Sequence, residues 1–148
     1  MRLNSHLHFS GQCEQAFKVY EKVLGGKIEG LFRYEGAPGS EAQNVPPDWR
    51  NKIMHAYMTI GDQALMGMDA PPGRFQKPQG FHVNISVKDE AEGKRIFDAL
   101  SEKGNVVMKF GPTFWSPGFA MFVDRFGTPW MVNVEQASQM QDEKKGAA

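Results

Sequence analysis

Hydrophobic and polar residues alternate over several short stretches of this chain, and the alternation gives way twice to helical spacing. The first alternating stretch, residues 3–9, predicts a β-strand. Gly25 and Gly26 are expected to end the helix that follows, because glycine enters the left-handed conformation without strain. The apolar face of this helix has helical spacing and comprises Cys13, Ala16, Phe17, Tyr20, Val23 and Leu24.

Three further strands are predicted after the first helix, at 27–34, 52–60 and 63–69. The dipeptide at 61–62, Gly-Asp, is typical of a tight hairpin turn between the last two. Residues 35–51 are polar and contain several prolines, and loops of this length in a compact domain are usually functional flaps or insertions. The first half is therefore predicted as strand, helix and three strands.

The same order of elements is predicted for the second half, after a proline-rich linker. A strand at 80–87 precedes a helix that Asp89 caps, with Glu92 three residues later as in a capping box. Gly104 is expected to end this helix. The remaining alternating stretches predict three strands, at 105–110, 118–124 and 129–134.

The two halves have the pattern of an internal duplication. A shift of 76 positions carries His6 onto His82 and Leu7 onto Val83. One such unit has too little apolar surface to close a core alone, so two paired units are expected. We therefore predict an α+β fold in which two paired βαβββ modules form a curved mixed sheet around a cavity. The predicted organisation is a first module at 1–69, a linker at 70–79, a second module at 80–135 and a polar tail at 136–148.

The composition argues against several classes of protein. Lys+Arg and Asp+Glu each number 17, and the basic residues do not gather in one run, so neither a nucleic acid nor an anionic membrane is an expected partner. The apolar stretches are too short to cross a bilayer, and the N-terminus lacks the apolar stretch of a secretory signal. The single cysteine, Cys13, cannot form an internal disulfide. These features favour a cytoplasmic protein.

Four stretches of the chain carry a family resemblance. They are CEQAFKVYEKVLGGKI (13–28), IMHAYMTIGDQALMGMDAPP (53–72), FHVNISV (81–87) and TFWSPGFAMFVDRFGTPWMVN (113–133). Together they resemble the PhnB-like branch of the vicinal-oxygen-chelate superfamily, which includes glyoxalases, bleomycin-resistance proteins and dioxygenases. The resemblance extends over residues 3–135. It implies paired βαβββ modules and a homodimer.

The resemblance also implies a divalent metal as one hypothesis for function. In enzymes of this superfamily each half supplies one ligand from its first strand and one from its last, and the metal acts as a Lewis acid on the substrate. His6 and His82 match the two first-strand positions, whereas the expected carboxylates fall at about Met66 and Met131. A thioether is a poor ligand for Zn, Mn or Fe(II). Two interpretations of His6 and His82 stay open: ligands of Zn, Mn, Ni or Fe, or hydrogen-bonded polar residues inside a cavity.

A small-molecule pocket is the second hypothesis. Met66, Met131 and Asn133 fall on predicted strands, and Trp115 falls in a turn bounded by proline and glycine; such methionine and aromatic side chains often line ligand cavities. His55, on a third strand, is a candidate acid or base, or a structural histidine. The two predicted functions are binding of a small molecule, without a metal, and divalent-metal-dependent isomerase, lyase or dioxygenase chemistry on a small oxygenated substrate. The missing carboxylates favour binding.

Overall fold

The computed structural model describes residues 1–39, 45–136 and 146, and the chain divides into two compact units, Met1–Pro78 and Gln79–Ala148. Parts of the predicted loop and most of the predicted polar tail lie outside the described residues. The first unit contains β1 (Ser5–Phe9), α1 (Cys13–Leu24), β2 (Lys27–Arg33), a short 3-10 helix (Pro47–Trp49), β3 (Ile53–Ile60) and β4 (Gln63–Asp69). The second unit contains β5 (Val83–Val87), α2 (Glu90–Ser101), β6 (Asn105–Gly111), β7 (Phe119–Val123) and β8 (Pro129–Val134).

Each unit contains a four-stranded mixed sheet, and the two sheets have the same topology. In the first unit the strand order is β1-β4-β3-β2, with β1 parallel to β4 and the other neighbours antiparallel. In the second unit the order is β5-β8-β7-β6, with the same directions. The α+β class and the two βαβββ units predicted from the sequence are therefore confirmed.

Helix α1 covers one face of the first sheet because its apolar stripe meets the inward residues of the strands. Phe17 of this stripe is fully buried, and its ring lies 6.2 Å from that of Phe9 on β1. A Cβ atom at Gly67 on β4 would lie 2.6 Å from the Phe17 ring, so only glycine permits this close approach. Gly25 ends the helix with φ of 68°, as the sequence predicted.

Helix α2 begins as predicted but ends differently. The Asp89 side chain accepts a hydrogen bond from the Ala91 backbone N–H at 2.8 Å. The Glu92 carboxylate, expected to complete a capping box, instead accepts from the guanidinium of Arg95 on the next turn. The residue that adopts the left-handed backbone conformation after the helix is Lys103, with φ of 58°, rather than Gly104. Gly104 is required for another reason, because a Cβ there would collide with the Val123 carbonyl of β7.

The strand registers correct the predicted offset between the two copies. Phe9 and Val87 are the last residues of β1 and β5, and each accepts a backbone hydrogen bond at 2.8 Å from the residue that follows the parallel neighbour. The offset between the first strands is therefore 78 positions rather than 76. Asn84 is the counterpart of His6, and His82 lies one residue before β5. Alternation could not reveal this, because a slip of two residues leaves the hydrophobic pattern of a strand unchanged.

A buried carboxylate connects three elements of the first unit. Asp69, at the end of β4, is 1% exposed. Its Oδ1 accepts from the backbone N–H groups of Gly11 and Cys13, and its Oδ2 accepts from that of Ile53, each at 2.9 Å. The end of β4 is thereby joined to the turn before α1 and to the start of β3.

Replacement of Asp69 by Ala should lower the free energy of unfolding by at least about 3 kcal/mol. Three N–H groups would lose a charged acceptor, and each unpaired buried donor costs about 1–3 kcal/mol. Urea denaturation followed by circular dichroism measures the change. Asp62→Ala in the exposed turn is the matched control, with an expected effect within about 0.5 kcal/mol. Equal effects of the two substitutions would contradict this role of Asp69.

Candidate functional site

The first candidate surface is the face of the first sheet that is turned away from α1. Leu65, Gly67 and Asp69 point towards the helix, so Met66 and Met68 point to the other side. The register places Met66 between His6 of β1 and Tyr57 of β3. We call this surface the first open face; its residues are His6, His8, Phe32, His55, Tyr57, Met66 and Met68.

Three imidazole rings lie close together on the first open face. The centroids of the His6 and His8 rings are 5.2 Å apart, and those of His6 and His55 are 5.9 Å apart. The Phe32 ring stacks on His55 with a centroid separation of 6.2 Å. The candidate catalytic histidine predicted from the sequence, His55, is thus a neighbour of the candidate metal ligand His6.

This crowding affects the acid–base behaviour of His6. The pKa of His6 is lowered from its usual value, first by removal of part of the ring from water and then by repulsion from His8 and His55. The residue as a whole is exposed, so the desolvation concerns the part of the ring that lies against its neighbours. A lowered pKa favours the neutral imidazole, the form that can bind a metal ion or accept a proton.

A cavity of about 600 Å³ borders the first open face beside Phe32 and His55. Its volume is in the range of small-molecule sites. Charged and apolar side chains both contribute to its wall, which is lined by Leu31, Phe32, Arg33, Glu35, Gly36, Ala37, Pro38, Met54 and His55.

The second candidate surface is the corresponding face of the second sheet. Val132 and Val134 of β8 are buried on the α2 side, so Met131 and Asn133 point to the opposite side. Asn133 lies opposite Phe119 of β7, and the Trp115 ring meets the Phe119 ring edge-on at 5.2 Å. We call this surface the second open face; its residues are Asn84, Ser86, Trp115, Phe119, Met121, Met131 and Asn133.

One polar atom of the second open face lacks a partner. The Oδ1 atom of Asn133 is buried and accepts no hydrogen bond from the described residues. The neighbouring polar side chains bond to each other instead, since Asn84 Nδ2 donates to Ser86 Oγ at 2.9 Å. A buried acceptor without a donor is unusual, because such groups are nearly always paired with protein, water or ligand.

The structure separates the predicted site residues into two groups. Trp115, Met131 and Asn133 belong to the second open face, and Met66 belongs to the first, beside His6 and His55. His82 lies just before β5, outside the strand. Eight further residues of these faces were not named as site residues in the sequence analysis. Counting by two along a strand from His6, His55, Met66 and His82 finds five of them, namely His8, Tyr57, Met68, Asn84 and Ser86. The other three lie on strands without a predicted site residue: Phe32, Phe119 and Met121.

Other buried polar groups have structural roles. The Asp124 carboxylate accepts from the backbone N–H groups of Phe126 and Thr128 and from the indole N–H of Trp130. Burial raises the pKa of the Cys13 thiol, which is fully buried at the first residue of α1. Cys13 therefore stays protonated at neutral pH and does not provide a nucleophilic thiolate.

The donor atoms of each unit do not suit the divalent metals that the family resemblance implies. Thioethers, Met66 and Met131, stand where carboxylates were expected, beside His6 and Asn84 respectively. In the part of the chain that the structure describes, three or more His, Cys, Asp or Glu side chains do not gather into a group that could hold a metal ion. Zn, Mn, Ni and Fe favour imidazole and carboxylate ligands over thioethers, so we derive no reaction step through such an ion.

Comparisons with known proteins agree with this fold. Residues 2–132 match the family model of the Glyoxalase/Bleomycin resistance protein/Dioxygenase superfamily, and the chain belongs to that superfamily.

Within residues 1–39 and 45–136, no helix has the length and apolar character needed to span a membrane.

Two relatives support the PhnB-like resemblance. Protein YjdN of Escherichia coli (strain K12) is 34% identical over 142 residues, which cover 90% of this chain and 95% of that protein. The crystal structure of protein PA1353 from Pseudomonas aeruginosa is 41% identical with a TM-score of 0.84, and the match covers 92% of this chain and 98% of that one. The PhnB protein from Bacillus cereus, at 23% identity and a TM-score of 0.74 over 90% of this chain and 99% of that one, supports the fold alone.

Replacement of His8 by Asn should raise the pKa of His6, because it removes the larger of the two repulsive charges. Titration of the His6 ring protons by NMR measures the midpoint. The control is His82→Asn, because His82 is not among the groups that shift the pKa of His6, and this variant should leave the His6 titration unchanged. An unchanged or lower midpoint in His8→Asn would contradict the electrostatic coupling.

The lowered pKa of His6 also makes the free energy of unfolding depend on pH. The pKa of His6 lies below its ordinary value of 6.5, so between these values the unfolded chain binds more protons than the folded chain. The contribution of His6 to the free energy of unfolding is therefore fully present above pH 6.5 and is lost as the pH falls from 6.5 through the lowered pKa. His8→Asn should narrow the pH range over which the His6 contribution is lost, because it raises the pKa of His6 towards 6.5. Urea denaturation at a series of pH values measures the change.

Proposed function

We propose that this protein binds a small organic molecule on the second open face, and that it does so without a metal ion. The observation that carries the proposal is the buried, unpartnered Oδ1 of Asn133. Left unsatisfied, such an acceptor costs about 1–3 kcal/mol, and a ligand N–H or O–H group would remove that cost.

The surroundings of Asn133 suggest the rest of the ligand. Phe119, opposite Asn133, is 8% exposed, and the half-buried Trp115 ring stands against it. Met131 and Met121 are neighbours across β8 and β7 and provide a deformable apolar surface. A planar or compact apolar body with one hydrogen-bond donor fits this combination.

Metal-dependent chemistry on a small oxygenated substrate is the alternative function. Superfamily membership and the closeness of His55 to His6, with ring centroids 5.9 Å apart, support it. The thioethers at the carboxylate positions favour simple binding. Elemental analysis of the purified protein and of His82→Asn tests the alternative: Zn, Mn, Ni or Fe near one per chain, lost in the variant, would favour the enzyme.

We also propose that the protein is a homodimer. Large apolar side chains are exposed on the second unit, among them Phe114 at 95% and Val107 at 61%, and such side chains are common where proteins associate. Light scattering coupled to gel filtration should give twice the chain mass of 16.6 kDa at micromolar concentration. A mass of one chain under these conditions would contradict the dimer.

Binding at the second open face should depend on the hydrogen-bond donor of the ligand. A panel of simple phenols and their methyl ethers, which cannot donate, compares ligands of nearly the same shape. We expect the phenols to bind more tightly and to change tryptophan fluorescence. Asn133→Ala should remove this preference, a loss of about tenfold in affinity for one hydrogen bond.

Two matched variants assign the response to this face. Asn84→Ala alters a neighbouring amide that already bonds to Ser86, and it should keep the preference for phenols. Trp115→Phe should abolish most of the fluorescence change, whereas Trp49→Phe in the 3-10 helix should not. If no phenol binds, or if Asn133→Ala and Asn84→Ala behave alike, the proposed site is wrong.

A further inference from the structure

Imidazole and thioether groups stand side by side on two neighbouring strands of the first open face. His6 and His8 of β1 point to the same side, and their ring centroids are 5.2 Å apart. Met66 lies directly opposite His6, and Met68 lies directly opposite His8, across the parallel β1–β4 pair. Adjacent strands are about 4.8 Å apart, so the four side chains leave the sheet within reach of a common point above it.

The chemistry of these four groups selects for a soft cation. None of the four carries a negative charge, and two are thioethers, which are poor ligands for hard divalent ions and good ligands for Cu(I). Imidazole binds copper as well. From this arrangement we propose a Cu(I) site on the first open face, formed by His6 and His8 together with Met66 and Met68.

Access and competing ligands are consistent with this site. His6 and His8 are exposed, and both methionines are partly exposed, so an ion can reach the four groups from solvent. The one thiol in the chain, Cys13, is fully buried on the α1 side of the sheet, away from this face. His55, whose ring centroid is 5.9 Å from that of His6, is a third imidazole at the border of the site.

The second unit shows which side chains stand at the positions that correspond to the four proposed copper ligands. At the corresponding positions of β5 and β8 the register pairs Asn84 with Met131 and Ser86 with Asn133. One thioether is kept there, but both imidazoles and the second thioether are replaced by neutral oxygen-bearing or amide side chains. The copper site is therefore expected in the first unit alone, and it shares no residue with the ligand face proposed in the second unit.

The test supplies Cu(I) under anaerobic conditions as its bicinchoninate complex and measures transfer to the protein from the loss of the complex's colour. We expect one Cu(I) per chain. Removal of one ligand should weaken binding by about 10–100-fold or more, since even loss of a supporting partner around a metal costs that much. His8→Asn and Met66→Leu are the informative variants, and Met66→Leu nearly conserves side-chain volume.

Three controls keep the proposal falsifiable. Met131→Leu removes the equivalent thioether of the second unit, and His82→Asn removes the histidine of the alternative divalent-metal hypothesis; both should bind Cu(I) like the parent protein. X-ray absorption at the copper edge should detect nitrogen and sulfur neighbours, with the sulfur lost in Met66→Leu/Met68→Leu. Cys13→Ala should keep both the affinity and the sulfur signal.

Several results would overturn the site. They are no transfer from bicinchoninate, equal weakening by Met66→Leu and Met131→Leu, or loss of the sulfur signal in Cys13→Ala. Binding of phenols on the second open face uses none of the four copper ligands. Failure of either proposal therefore leaves the other intact, and the two outcomes are distinguishable.

Discussion

The arrangement of α1, β3 and β4 in the first unit depends on the carboxylate of Asp69. Its oxygen atoms accept hydrogen bonds from three backbone N–H groups, which belong to the turn before α1, the first residue of α1 and the start of β3. Because Asp69 must point inward to do so, the residues two and four positions before it also point inward, and Met66 and Met68 must point outward. The chemistry of the first open face is thus set by a buried group on the opposite side of the same strand.

The duplicated backbone supports different chemistry in its two copies. Strand order, strand directions and the last hydrogen bond of the parallel pair are the same in both units. The outward positions differ: His6 and His8 in the first unit correspond to Asn84 and Ser86 in the second. Inward positions must fill a core and are constrained by volume, whereas outward positions can exchange imidazole for amide or hydroxyl without disturbing the packing beneath them.

The sequence predicted the elements better than the site. Helix α1 and strand β4 have the predicted bounds, because helical spacing, Gly25 and the Gly-Asp turn specify them locally. The offset between the copies was wrong by two residues, because a period of two cannot distinguish the alternatives. The missing partner of Asn133 could not be predicted at all, since it depends on which donors the fold brings near one oxygen atom. The role of Gly104 could not be predicted either, because its close approach to Val123 is a tertiary contact that leaves no pattern in the neighbouring sequence.

The two-residue period of the first open face also constrains how its gene can change. Loss of one codon from the middle of β1 would rotate every later side chain of the strand, so that an imidazole would enter the core and an apolar side chain would face outward. Loss of two codons would shorten the strand but keep each remaining side chain on its own side. Strands β1 and β5 each have five residues with the same alternation of inward and outward positions, so this alternation was kept while the outward side chains of the two copies diverged.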